Sequence, residues 1–152
     1  MKIAILCLAL ALSLFGPQTS LRAEDKANPL ATALGATGAQ AVFSTYFAVA
    51  ELADLYGAKA YEAKKCVQIA STYAKLTESA KDSLSDLIDS GKLNEADTAS
   101  VREMIVINDL LGKTANGIVE YIKDPSDENH SSYDKNRQKA WKAISKFLGL
   151  GD

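Results

Sequence analysis

Eight positions spaced alternately three and four residues apart, Ala63, Cys66, Ala70, Tyr73, Thr77, Ala80, Leu84 and Leu87, run unbroken through one segment of the chain. Seven more, Val101, Met104, Asn108, Leu111, Ala115, Ile118 and Ile122, run through the next. That spacing gives an α-helix one continuous apolar edge, and two such edges in succession demand burial against each other. Gly91 stands between them in "DSGKLNEAD", a helix stop followed by Asn94 as the next cap. If the chain folds back there, the edges align antiparallel. Cys66 then falls near Ile118, Ala70 near Ala115, Tyr73 near Leu111 and Thr77 near Asn108.

The rest of the chain reads as helix too. β-Branched residues are scattered and period-two alternation is absent, while Ala, Leu, Lys and Glu, all strong helix formers, dominate. "NPLATAL" opens a first helix, with Asn28 as cap and Pro29 at the first helical position, where its missing N–H costs nothing. This helix is expected to reach about Tyr56 and to break at Gly57. The second runs from about Ala58 to Asp89, and the third from Asn94 to Lys123. The polar "KDPSDENHSSYD" leads to a fourth, starting at Pro125 or near Ser131 and ending before Gly149. At ~1.5 Å per residue the first three span ~42, ~48 and ~45 Å, and such matched lengths with short connections suit an up-down bundle. The expected fold is all-α, an antiparallel up-down four-helix bundle. The alternative is a three-helix arrangement whose long first helix is kinked at Gly57.

Residues 1–23 read as a cleaved signal peptide: Lys2 precedes the apolar run Ile3 to Phe15, then "GP" and a processing point after Ala23. The run is shorter than the ~20 residues a membrane span needs. Residues 24–152 then form a single helical domain. Cleavage removes Lys2 and Arg22 from 17 basic residues and none of the 19 acidic ones, so the net charge falls to −4. That balance speaks against nucleic acid, which is bound through clustered Lys and Arg. Cys7 leaves with the signal, and a lone Cys66 permits no internal disulfide. The compartment expected is periplasmic or secreted.

Cys66 lies on the seam among small apolar neighbours, so a buried, inert thiol is expected, although Lys64 and Lys65 would activate an exposed one. Asn108 is the odd member of its seam, because a buried amide costs free energy unless its hydrogen bonds are met, and Thr77 is placed to meet one. Tyr73, Thr77, Asn108 and Asn116 therefore form a candidate polar pocket between the second and third helices, with Gly112 and Gly117 beside them.

From Ala27 to Ala50 the first helix has no ionisable group except Tyr46. A surface helix of a monomeric bundle ordinarily shows a charged face. Val42, Tyr46, Val49, Ala53 and Tyr56 are expected to pack inward. Ala31, Gly35 and Ala39, four apart, are candidate interaction positions, since small residues let helices approach. Gln40, Asn28 and the Thr and Gly content disfavour membrane contact by this helix.

Glu78, Asp82 and Asp86 form an acidic row on the second helix, and the fourth carries Lys135, Arg137, Lys139, Lys142 and Lys146 around an apolar line. The expected docking buries Trp141 and Phe147 and sets these lysines against the acidic row. His130 is alone, so di-iron, covalent haem and zinc motifs are missing, and no phosphate-cradling glycine loop or nucleophile–base motif appears. No catalytic, metal or cofactor site is expected. The function expected is non-catalytic binding, to itself or to another envelope protein, through the first helix. The alternative is a periplasmic small-molecule carrier or sensor using the polar pocket.

Overall fold

A computed structural model describes residues 29–151, which form four α-helices and no strand. These are α1 (Pro29–Gly57), α2 (Ala63–Asp89), α3 (Glu95–Lys123) and α4 (Asp127–Leu148). The expected export signal, Cys7 and the Asn28 cap lie outside the described residues. The all-α, four-helix expectation agrees with this architecture. The three-helix alternative does not, because α1 ends at Gly57 and the chain reverses before α2 begins.

That reversal is not made by glycine. The Ala60 N–H donates to the Leu55 carbonyl and the Lys59 N–H to the Tyr56 carbonyl, each at 2.9 Å, closing α1 in a Schellman motif. The residue that must turn left-handed is Lys59, at φ 57°, while Gly57 remains helical. This delays α2 to Ala63, five residues beyond the expected start, and Glu62 precedes it with no side-chain cap.

The other boundaries follow their signals. Gly91 is left-handed at φ 65°, and the Asn94 side chain accepts from the Asp97 N–H at 2.8 Å. Ser126 caps α4, so that helix starts at Asp127, near the earlier of the two expected points. Gly149, at φ 66°, ends it.

Three core layers stack along the bundle. One joins Leu34 of α1 with Leu84, Val101, Met104 and Phe147. The next joins Val42 and Tyr46 with Ile107, Leu111, Ala140 and Ile144. The last joins Val49 and Leu52 with Cys66, Ala70, Ala115, Ile118 and Tyr133. Residue numbers rise through these layers in α1 and α3 and fall in α2 and α4, so consecutive helices run in opposite directions. α3 touches all three other helices, as does α1, whereas α2 and α4 do not touch each other. The cross-section is thus a rhombus with α1 and α3 on its short diagonal. α4 lies across from α2, so its lysines do not meet the acidic row as expected.

Cys66 is fully buried with Ile118 and Ala115, and burial pushes its thiol up while Lys65 offsets part of that rise. Inside α3, glycine serves close approach at two positions. A Cβ on Gly117 would lie 3.1 Å from the Tyr133 Cα, and one on Gly112 would lie 2.9 Å from the Thr77 Oγ1.

Candidate functional site

Thr77 and Asn108 are both buried and border the same cavity of about 330 Å³, which opens between α1 and α2. Its walls are Gly38, Ala41 and Thr45 of α1 with Leu76 and Ser83 of α2, and Asn108 and Met104 of α3 form its inner end. The expected bond between Thr77 and Asn108 is not made. The Thr77 hydroxyl donates to the Ala74 carbonyl at 2.8 Å, and the Asn108 amide donates to the Met104 carbonyl at 2.9 Å. Each side chain finds an acceptor on its own helix, which needs no particular register between helices. The pair therefore does not act as a bolt across the seam.

The other two candidate pocket residues lie elsewhere. Tyr73 is half-buried and packs on the core layer that holds Cys66. Asn116 is exposed and faces a separate polar groove between α3 and α4, beside Asn129 and Asn136. The helical period separates them: Asn116 is eight residues from Asn108, so it falls beyond the edge that meets α2 and opens toward α4.

α1 buries Val42, Tyr46, Val49 and Leu52 and half-buries Ala53 and Tyr56, the inward row expected with Leu52 added. Ala31, Gly35 and Ala39 are half-buried on the flank in phase with that row, and a Cβ on Gly35 would meet nothing within 4 Å. The outward face is a different set of positions, Ala33, Ala36, Thr37, Gln40, Ser44 and Phe47 among them, all exposed and uncharged.

Along the seam between α1 and α4 stands an aromatic ridge. Phe43 and Phe47 are 4.7 Å apart, and Trp141 lies 5.9 Å from Phe47 and 5.1 Å from Tyr46. Phe43, Phe47 and Trp141 remain 37, 47 and 36 % exposed, so Trp141 is not buried in the bundle as expected. Phe147 is half-buried, packed on the core at the side of α4 that faces α3. The sequence carried a sign of the ridge: Phe43 and Phe47 each follow a seam residue by one position, which turns them away from the core. Leu76 extends the apolar surface across the groove on the other side of α1, at 58 % exposure.

Charge is kept to the flanks. Arg137 donates to Asp134 at 2.7 Å and to the Tyr46 hydroxyl at 3.3 Å, tying α4 to α1 and holding the Asp134 carboxyl below its usual range. Lys113, and then Lys81, do the same for Asp109, with Lys81 bridging α2 to α3. Among the described residues no group of three His, Cys, Asp or Glu side chains could hold a metal ion. No helix among them is long and apolar enough to cross a membrane. Comparison of the chain with protein-family models, with characterised proteins and with solved structures gave no match.

Proposed function

We propose that this is an exported protein, processed after Ala23 into an up-down four-helix bundle of the periplasm or exterior, which acts without catalysis by binding protein through the outer face of α1. The partner is a second copy or another envelope protein. One observation carries the reading: the helix with no charged residue from Pro29 to Ala50 is also the one that leaves Phe43 and Phe47 exposed beside Trp141. Aromatic enrichment and depletion of charge are the marks of an interface core, and hydrated charge elsewhere keeps the remaining surface solvated. Hydroxyl-radical footprinting tests it. Phe47 and Trp141 should be protected in native envelope extract and oxidised in the dilute purified protein; equal oxidation in both would refute it.

A second reading rests on the cavity at Thr77 and Asn108, whose size falls at the lower end of small-molecule sites. Here the protein is a carrier or sensor for a mostly apolar ligand. Asn108→Leu should then abolish binding of the co-purifying small molecule seen by native mass spectrometry, and absence of any such mass would remove this reading.

A further inference from the structure

Building on the binding role of α1, we infer that the partner is a second copy of this chain, docked face to face about a two-fold axis parallel to α1. A self-complementary contact of this kind brings the same patch of both copies together. α1 runs down the middle of the face, with the aromatic ridge on its α4 side and the groove of about 330 Å³ on its α2 side. Both features lie on the same stretch of α1: Gly38, Ala41 and Thr45 border the groove, and Phe43 and Phe47 form the ridge.

Two axes can bring such faces together, and they differ in what they superpose. An axis across α1 lays ridge on ridge and groove on groove. An axis along α1 exchanges left for right and keeps height, so each copy's Phe43 and Phe47 meet the other's groove between Ala41 and Leu76. The missing side chain of Gly38 is filled by Met104, and the groove of about 330 Å³ that remains between Ala41 and Leu76 has room for a phenyl ring.

The uncharged stretch is ~33 Å long at 1.5 Å per residue, and with ~10 Å on either side it offers on the order of 700 Å², close to one side of a standard interface.

Sedimentation equilibrium and paired cysteines test this. The purified protein should be dimeric at micromolar concentration, and the exposed substitution Phe47→Lys should weaken the dimer by roughly tenfold or more while leaving the helical circular dichroism unchanged. Ala33 and Ser44 both point outward from α1 and stand ~16 Å apart along it. In the mature chain, whose one native thiol, Cys66, is buried, Ala33→Cys and Ser44→Cys should each form a disulfide with its own copy, since an axis along α1 brings every outward position opposite itself. At most one of them can do so if the axis lies across α1, and a disulfide at only one position or at neither overturns the arrangement. A monomer at high micromolar concentration whose α1 face is still protected in native extract overturns self-association and leaves the binding role standing. A monomer with that face unprotected overturns both.

Discussion

The end of α1 places a lysine where the backbone asks for glycine, and a glycine two residues earlier where it does not. Lys59 holds φ 57°, a conformation that costs a side-chain-bearing residue roughly 1–2 kcal/mol. Replacing it with glycine removes that strain but frees the unfolded chain, which returns roughly 0.5–1 kcal/mol. Lys59→Gly should therefore stabilise the fold by about 0.5–1 kcal/mol. Gly57 is the last helical residue and a Cβ there would meet nothing within 4 Å, so Gly57→Ala should add up to about 0.5 kcal/mol through helix propensity reduced at a helix end. The pair together should raise stability by about 1–1.5 kcal/mol, with some coupling because the positions share one turn. Urea unfolding followed by circular dichroism reads this as a midpoint raised by roughly 0.5 M at an unchanged slope. A midpoint lowered by Lys59→Gly would refute the Schellman closure, and with it the placement of the α1–α2 break.

Gly112→Ala should destabilise by about 1–2 kcal/mol despite its better propensity, because the new Cβ would lie 2.9 Å from the Thr77 hydroxyl and displace it from the Ala74 carbonyl. The same change in a Thr77→Ala background should cost markedly less, and equal costs in a double-mutant cycle would reject the contact. Cys66 should react with a maleimide only as fast as the protein unfolds; rapid labelling of the native protein would contradict its burial. Burial pushes the Tyr133 hydroxyl up to about 12, with Arg137 pulling the other way. The folded state then keeps this proton while the unfolded chain, ionising near pH 10, loses it. Stability should therefore be intact below pH 10 and fall by about 2–3 kcal/mol as pH rises to 12, a loss Tyr133→Phe should remove.

Much of the architecture was legible because local signals agree with it. Gly91, Asn94 and Gly149 each do at the helix ends what their residue types favour, and the three-four spacing marked Cys66, Ala70, Thr77 and Leu84 as the buried edge of α2. The break after α1 was legible only as a break, because a left-handed lysine carries no compositional sign. The candidate pocket was half legible. Thr77 and Asn108 share a cavity since their seams align, while Tyr73 and Asn116, within eight residues of them in sequence, are separated from it by the direction each side chain takes.

By itself the sequence determined the all-α class, the inward rows of α1, α2 and α3 and the absence of charge along α1, because these follow from periodicity and residue chemistry within single segments. Only the tertiary structure decided which outward surfaces adjoin. α4 set Trp141 against Phe43 and Phe47, and α2 opened a groove on the other side of α1. The physical reason is that a helix's own pattern specifies what it must bury, whereas the company its exposed residues keep depends on how distant helices pack around α3.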